Sequence, residues 1–415
     1  MSITQAERVA VFAKVKETVA NRYFPPNFNG KDWKNIVEQH KQAILHAENH
    51  GEFEARVDAM LHELDRRMIL LSAHTKIISS NSINSTFRNV DIPQLGGQRW
   101  VFQDVAKDGP ADKAGARVGD VLRSISGVQV EPPKHPEFVM GKSYEVEVLR
   151  GDVLEPINFV LNLPSPKYAE NPYAEPRNVV CTRTPDGIAC VRISLFPGAV
   201  GVEFANEVSQ AFENELQDCN RLLVDLRGNP GGGIGGLRLM SYLTPDKVPV
   251  GYSLDRKTAQ RGTPKDQLVR FGRVPDQKWK LYLLAFKFQF GLKQSVAVVT
   301  EGLGHKPFHG RIVILVDEHT AGAAEMVTQF AKENGLAKIV GMRTAGRLIT
   351  RKALKVGNGY RLALPIASYQ SWAGNQIDGS GIQPDVEVGW SFEDARKGID
   401  VQLGVALDVV RAMGS

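Results

Sequence analysis

Residues 222–233, LLVDLRGNPGGG, decide the fold of the second half of the chain. An apolar run here ends in a glycine-rich turn, which is typical of a buried strand followed by a tight loop. Similar apolar runs recur at residues 188–195, 311–318 and 337–342. Because segments with helical spacing separate these runs, the sequence predicts an α/β layer with a mainly parallel sheet.

Changes of pattern divide the rest of the chain. Residues 1–72 have apolar residues at helical spacing, whereas short β-like runs around one helix-sized piece follow from Trp100. The stretch LPSPKYAENPYAEP at residues 163–176 is typical of a linker and places a boundary near residues 164–178. We therefore predict an N-terminal helical region, a small α+β domain and an α/β core, at residues 1–90, 91–165 and 166–415. Residues 252–308 show no strong strand pattern and are interpreted as a lid or insertion in the core.

Composition excludes several classes of protein. The chain has 415 residues, of which 42% are apolar and 23% charged, as in ordinary globular domains. A net charge of +5 over this length is too low for a nucleic-acid binder, so no nucleic-acid partner is predicted. The N-terminus has no signal-peptide core, and the apolar stretch LYLLAFKFQFGL at residues 281–292 is too short to span a bilayer. We predict a cytoplasmic protein without a membrane span.

Cys181 and Cys190 flank a turn signal at residues 184–187. If the hairpin centres on that turn, the two cysteines lie opposite each other across the strands. An odd total of three cysteines argues against a disulfide framework, and free thiols are the expected state.

Residues 105–127 carry a first resemblance. The segments VAKDGPA (105–111), VGDVL (118–122) and ISG (125–127) resemble the second half of a PDZ domain of the bacterial protease type. The resemblance implies that a peptide C-terminus adds to an edge strand. Its carboxylate would be held near the residues that open the strand at Trp100, namely Leu95, Gly96 and Gly97. A module of the same fold that binds no ligand is the alternative.

Four further blocks carry a second resemblance, which covers nearly the whole chain. Residues 222–233, 317–325, 341–347 and 379–385, together with 28–33 and 73–75, resemble the C-terminal processing peptidases, also called tail-specific proteases. The resemblance implies an N-terminal helical region, a PDZ domain and an α/β core similar to the ClpP and crotonase folds. It also implies peptide-bond hydrolysis by a Ser/Lys dyad, with no metal or organic cofactor.

The sequence departs from that family at its catalytic positions. The nucleophilic Ser position is Gly322, the Lys position is Arg347, and a family Gln position is Arg351. Glycine has no atom to attack with, and arginine stays protonated. The oxyanion elements are retained, as the backbone N–H groups of Ala323 and of the loop 231–233, chiefly Gly231 and Gly232.

We therefore predict a diverged member that binds peptide or protein C-termini and has lost hydrolysis or retains it only weakly. Arg347 would make the former centre complementary to a carboxylate ligand, or it would pair with Glu325 or Asp317 and fill the site. The alternative is an active hydrolase that uses another residue set, drawn from Thr320, His319, His74 and Ser380. The aromatic and lysine-rich segment 278–293 is interpreted as a lid or packing helix over the peptide channel, with base stacking as the other interpretation.

Overall fold

The computed structural model describes residues 3–71, 83–163, 178–197, 202–233, 235–275, 295–304 and 306–414. Three six-stranded sheets organise these residues. No helix in these ranges combines the length and the apolar character that crossing a membrane requires. The predicted lid at residues 278–293 lies outside the described residues.

Three helices and a short strand form the N-terminal region. They are α1 (Gln5–Arg22), α2 (Trp33–Leu45), α3 (His50–Leu64) and β1 (Ile69–Leu71). Each helix begins after a side chain that accepts hydrogen bonds from first-turn N–H groups: Thr4, Asp32 and Asn49, respectively. The apolar faces of the helices share one buried cluster with residues 354–366 of the core. The predicted N-terminal helices are thus confirmed.

The second sheet forms the α+β module. Its elements are β2 (Ser85–Ile92), β3 (Gly97–Val105), α4 (Pro110–Ala114), β4 (Val121–Ile125), β5 (Val128–Gln129), β6 (Ser143–Arg150) and β7 (Glu155–Asn162). The strand order is β2-β3-β4-β6-β7, all antiparallel, with β5 against β4. Helix α4 begins on Pro110 and ends at Gly115, whose φ of 98° suits glycine. Because the sheet starts at Ser85, the predicted division between residues 90 and 91 falls inside β2.

Residues 178–414 contain the two sheets of the core. The strands are β8 (Val179–Arg183), β9 (Ala189–Ile193), β10 (Arg221–Asp225), β11 (Pro249–Asp255), β12 (Val269–Phe271), β13 (Val296–Val299), β14 (Arg311–Val316), β15 (Lys338–Gly341), β16 (Ile349–Gly357), β17 (Tyr360–Ser371) and β18 (Val386–Glu387). The helices are α5 (Val202–Gln210), α6 (Gly236–Tyr242), α7 (Arg256–Gln260), α8 (Ala323–Glu333), α9 (Phe392–Ala395) and α10 (Val401–Ala412).

The first core sheet is the predicted parallel one. Its order is β18-β15-β14-β10-β9-β8, and each pair is parallel except the β8–β9 hairpin. Helices α5, α6 and α8 bury one face of this sheet, and α10 buries the other. The sheet is covered on both faces, which explains the near-continuous apolar runs in its strands.

The second core sheet corrects the interpretation of residues 252–308 as an insertion without strands. Strands β11, β12 and β13 lie in or across that range and join β17, β16 and β1 in one sheet. β11 pairs with β17, more than 100 residues later in the chain, from Gly251↔Ser371 to Asp255↔Ala367. These strands depend on partners remote in sequence, so no local pattern indicated them.

The β8–β9 hairpin also corrects the predicted placement of the cysteines. Cys181 pairs with Val191, and Cys190 pairs with Thr182, so the two side chains point to opposite faces of the sheet. Cys181 packs against the cluster beneath α5, and Cys190 packs against the cluster beneath α10. Burial raises the pKa of the Cys181 thiol to about 12 and also raises the pKa of Cys190. Both cysteines are free, and no disulfide joins them.

Candidate functional site

The glycine-rich loop after β10 is held in place by the buried side chain of Asn229. Its Nδ2 donates to the carbonyl oxygen of Ile193 at 2.9 Å, and its Oδ1 accepts from the N–H of Gly231 at 2.8 Å. Gly232 has a φ of 131°, and a Cβ there would lie 1.9 Å from the carbonyl oxygen of Phe196. Only glycine fits this close approach of two backbone segments.

A second loop, residues 317–322 after β14, is fastened to the first. Asp317 Oδ1 accepts from the N–H groups of Gly228, His319 and Thr320, at 3.0, 3.0 and 2.9 Å. The N–H of Ala321 donates to the carbonyl oxygen of Asn229 at 2.8 Å. The carboxyl ends of β10 and β14 therefore bring both loops to one edge of the parallel sheet.

Gly322 stands where the second loop enters α8. Its φ of 57° and ψ of −121° are far from both helix and strand, and a side chain there is strained. The glycine-rich loop is in contact with it: a Cβ at position 322 would lie 3.4 Å from Gly231 Cα and 3.4 Å from the carbonyl oxygen of Pro230. A Cβ at position 322 would therefore be in ordinary van der Waals contact with the loop.

Glu325 fixes the geometry of the site from within. It is completely buried, and its carboxylate accepts four hydrogen bonds, from the Thr344 hydroxyl (2.6 Å) and the N–H groups of Gly346 (2.7 Å), Gly322 (3.0 Å) and Arg347 (3.0 Å). Burial raises the pKa of Glu325, and these hydrogen bonds oppose that rise. One side chain thus joins the start of α8 to the segment 344–347.

Two backbone N–H groups near Gly322 remain available as hydrogen-bond donors. Within the described ranges, the N–H groups of Gly232 and Ala323 have no hydrogen-bond partner. A Cβ at position 322 would lie 3.9 Å from the Gly232 nitrogen. Gly231 was also predicted as an oxyanion donor, but its N–H already donates to Asn229. The available donors are therefore Gly232 and Ala323.

Arg347 and Arg351 have exposed side chains. Only the backbone N–H of Arg347 contacts Glu325, and neither guanidinium makes an ion pair with a described residue. The acceptor Oδ1 of Asp317 is already used by its own loop and Gly228. The interpretation of Arg347 as a filling residue paired with Glu325 or Asp317 is therefore wrong.

The alternative nucleophiles are committed elsewhere. The Thr320 hydroxyl is buried between the carbonyl oxygen of Leu226 (2.9 Å) and Asp317 Oδ1 (3.0 Å), and no imidazole of a described residue is hydrogen-bonded to it. His319 Nε2 lies 3.0 Å from Gln103 Oε1 of the α+β module instead. The Ser380 hydroxyl donates to a carbonyl oxygen of its own turn. His74, the remaining candidate, lies outside the described residues.

The α+β module contacts the loop 317–322 directly. Arg88 of β2 pairs with Glu318, and Gln103 Nε2 of β3 donates to the same carboxylate at 3.1 Å. The Arg88 guanidinium also lies 5.8 Å from the ring centre of Trp390. No feature of the sequence indicated these contacts, because each joins side chains more than 200 residues apart.

The residues predicted to hold a peptide carboxylate in this module occupy a different position. Leu95 and Gly96 lie in the turn of the β2–β3 hairpin, and Gly97 is the first residue of β3. The pairing has a register shift between Thr86 and Phe87 and is continuous from Phe87↔Phe102 to Ile92↔Gly97. Trp100 is buried, and its indole N–H donates to the carbonyl oxygen of Lys134 at 2.7 Å. Among the described residues β2 pairs with β3 alone, whereas β3 also pairs with β4 at Val101↔Val121.

Comparison with known proteins identifies the family. The Peptidase family S41 matches residues 187–388, which include both loops, and a PDZ domain matches residues 101–150. Carboxyl-terminal-processing peptidase 3, chloroplastic, of Arabidopsis thaliana is 23% identical over 407 residues, covering 93% of this chain and 69% of that protein. The carboxyl-terminal-processing protease of Synechocystis is 22% identical over 407 residues, covering 94% and 84%. Residues 187–388 thus belong to Peptidase family S41, and the chain as a whole is similar in sequence to proteins named carboxyl-terminal processing proteases.

Solved structures agree with this fold. The photosystem II D1 C-terminal processing protease superposes with a TM-score of 0.60 at 20% identity, covering 100% of this chain and 98% of that chain. The resemblance stated from the sequence is thus confirmed for the family and for the PDZ domain. In this family member, position 322 is glycine and position 347 is arginine.

Sequence reasoning missed the role of Glu325. The sequence suggested Glu325 only as an ion-pair partner for Arg347, although a glutamate in the first turn of a helix is a recognised capping residue. The signal was therefore present in the sequence. What the sequence did not contain was the second half of the contact, the N–H groups at 346 and 347, which the fold brings to the same carboxylate.

Proposed function

We propose that this member of the C-terminal processing peptidase family binds peptide or protein C-termini without hydrolysing them. Position 322 carries the proposal. It stands between a strand and a helix, beside the free N–H groups of Gly232 and Ala323, where an acyl-transfer enzyme needs a nucleophile, and it is glycine. Arg347, at the position of the family's base, stays protonated. In this proposal the site keeps backbone N–H donors for an anion and lacks the Ser/Lys dyad.

Nothing in the described residues favours the rival function, hydrolysis by another residue set, and His74 of that set lies outside them. A nucleophilic hydroxyl needs a general base within hydrogen-bond reach. The hydroxyls of Thr320 and Ser380 instead contact backbone carbonyl oxygens. The Thr320 hydroxyl also donates to Asp317 Oδ1, which accepts from three backbone N–H groups as well. Both hydroxyls therefore have structural roles in this proposal.

Covalent labelling tests the proposal. A fluorophosphonate probe, which reacts with activated serines, is expected to leave the native protein unlabelled, because Gly322 has no hydroxyl and Arg347 activates none. A serine hydrolase added to the same sample provides the positive control. Specific labelling at Thr320 or Ser380, located by mass spectrometry, would instead establish the rival function.

The PDZ domain provides a surface for the bound chain. A peptide adds to an exposed sheet edge and presents its carboxylate to backbone N–H groups. We assign the peptide to the outer edge of β2, which pairs with β3 alone among the described residues. In this arrangement the end of the bound peptide lies beside Leu95, Gly96 and Gly97 at the hairpin turn. Trp100 packs in the domain core and supports the sheet.

Recognition of the carboxylate has a measurable consequence. A peptide with a free C-terminal carboxylate is expected to bind about ten-fold more tightly than its amide, the effect of one or two charge-assisted hydrogen bonds. Fluorescence anisotropy of the labelled pair measures the ratio. Equal affinities would show that the terminus is not what this protein recognises.

The carboxylate ligand at the former catalytic centre is a separate part of the proposal. The N–H groups of Gly232 and Ala323 offer hydrogen bonds to an anion, and the guanidinium of Arg347, which pairs with no described residue, offers charge. Replacing Arg347 with methionine is expected to weaken the best carboxylate ligand by about ten-fold, since a hydrogen bond to a charged group contributes roughly 1.5 to 3 kcal/mol.

Calorimetry on a matched pair of variants measures this loss. Arg270→Met in β12 removes another exposed arginine that has no ion pair among the described residues, so it controls for net charge. Equal affinity in wild type, Arg347→Met and Arg270→Met would remove the carboxylate site from the proposal.

Two finer predictions stay predictions. One is the similarity of the core to the ClpP and crotonase folds, for which the parallel sheet with helices on both faces is the supporting feature. The other is the cytoplasmic location.

A further inference from the structure

One segment of the core carries an unusual excess of positive charge. Residues 334–377 contain no Asp or Glu, although the whole chain has 46 in 415 residues. The same segment contains seven basic residues: Lys338, Arg343, Arg347, Arg351, Lys352, Lys355 and Arg361. The low net charge of the whole chain hides this local separation of charge.

Five of these residues surround strand β16. Arg351, Lys352 and Lys355 lie on β16, Arg347 precedes it, and Arg361 pairs with Lys355 from β17. All five are exposed, and none makes an ion pair or a side-chain hydrogen bond with a described residue. The positive charge of this strand is therefore uncompensated by the part of the chain that the structure describes.

β16 is also an edge strand. Among the described residues it pairs with β17 alone, from Ile349↔Ser368 to Gly357↔Tyr360, so the backbone groups on its other side have no strand partner. Its side chains alternate between two faces. Leu354 and Val356 pack against the N-terminal helices, whereas Arg351 and Lys355 lie on the opposite face.

The edge strand starts at the candidate site. The N–H groups of Gly322 and Arg347 both donate to Glu325 Oε2, each at 3.0 Å, and β16 begins two residues after Arg347. A polypeptide that reaches Gly322 is thus next to the free edge of β16. Arg351 and Lys355 are four residues apart on one face, a separation of about 13 Å along an extended chain.

We propose that the free edge of β16 binds an acidic, extended segment of the polypeptide ligand by strand addition. This inference rests on the proposed function, because it uses the same ligand. Backbone hydrogen bonds to β16 give affinity, and Asp or Glu residues spaced four apart in the ligand face Arg351 and Lys355. Charge at an edge strand also serves to prevent aggregation, and that role predicts no preference for acidic ligands.

The experiment compares labelled peptides of about a dozen residues, long enough to cover a strand of this length. All carry a C-terminal amide, so that the carboxylate dependence of the proposed function does not enter. One has Glu at two positions four apart, a second has Gln there, and a third repeats the first with alternate backbone nitrogens methylated. Anisotropy at low salt gives each affinity.

The acidic peptide is expected to bind about ten-fold more tightly than its Gln counterpart, as two exposed charge pairs allow. Backbone methylation is expected to cost about ten-fold again, since it removes strand hydrogen bonds. The double variant Arg351→Glu/Lys355→Glu should lose the preference and gain one for a Lys-containing peptide. Lys352→Glu/Arg270→Glu, which changes the net charge equally, should retain the original preference.

Three results would overturn the inference. Equal affinity for the Glu and Gln peptides would mean that the charges only protect an edge. Unchanged binding of the methylated peptide would mean plain charge attraction without strand addition. Complete competition by a single-stranded oligonucleotide with no effect of methylation would assign the surface to nucleic acid. Because every peptide is an amide, none of these results decides whether a free C-terminus is recognised, so the two proposals fail separately.

Discussion

Replacing Glu325 with alanine is expected to lower the free energy of unfolding by about 3 kcal/mol or more. The change removes one carboxylate and leaves four donors in the interior without an acceptor: the Thr344 hydroxyl and the N–H groups of Gly322, Gly346 and Arg347. Each unsatisfied buried donor costs roughly 1 to 3 kcal/mol, although local rearrangement recovers part of the total. Denaturant unfolding followed by circular dichroism measures the loss.

Two further variants make this measurement specific. Glu325→Gln keeps the size of the side chain and one acceptor oxygen, so it should lose less stability than the alanine variant. Glu387→Ala removes an exposed glutamate whose carboxylate accepts from Gln383, and it should change stability by less than about 0.5 kcal/mol. Similar stability in Glu325→Ala and Glu387→Ala would contradict the account of Glu325 as the residue that joins α8 to the segment 344–347.

The double variant Gly322→Ser/Arg347→Lys is expected to gain reactivity toward a fluorophosphonate probe and to accelerate peptide hydrolysis by about 100-fold or more over the buffer rate. A Cβ at position 322 fits at 3.4 Å from its neighbours, and the N–H groups of Gly232 and Ala323 have no hydrogen-bond partner among the described residues. Lysine, unlike arginine, can lose its proton. The strained backbone at position 322 should cost about 1 to 3 kcal/mol of stability.

The matched control is Gly322→Ala/Arg347→Lys. It places the same backbone strain at position 322 and the same lysine at 347, but it has no hydroxyl. We therefore expect labelling and turnover by the serine variant and neither by the alanine variant, whereas the two variants should have similar melting temperatures. If both fold and neither reacts, the loss of chemistry extends beyond these two positions, and adding Arg351→Gln tests the next one.

The elements that the sequence predicted well are those whose signal is local. The apolar runs of β9, β10, β14 and β15 are buried on both faces, so composition alone marks them as strands of a parallel sheet. Helix α4 carries Pro110 at its start and Gly115 at its end, and each residue has a conformational reason to be there. Such features need no partner elsewhere in the chain.

The errors came from pairing and register. The hairpin loop spans residues 184–188, so Arg183 pairs with Ala189, one residue away from the register that a turn centred between 185 and 186 gives. A shift of one residue turns every side chain to the other face, which separates Cys181 from Cys190. Likewise, the glycines at 96 and 97 signal a turn, but the sequence does not state which strands the turn connects.

Within the candidate site, the sequence identified positions 322 and 347 but did not predict the hydrogen-bond partners of the residues around them. Adjacent residues His319 and Thr320 were both candidates, yet the fold sends one toward Gln103 and the other into the interior. The distinction between a donor that is free and one that is used, as for Gly232 and Gly231, depends on a contact with Asn229 that only the folded chain contains.

The most direct test of the central claim is turnover by the wild-type protein. Purified protein is incubated with unstructured peptides of varied C-terminal sequence, free acids and amides, and the products are followed by mass spectrometry. The account predicts binding of free-acid peptides with no product above the buffer rate. The account would be contradicted if product accumulated in proportion to protein concentration and if the hydrolytic activity coeluted with the protein on repurification.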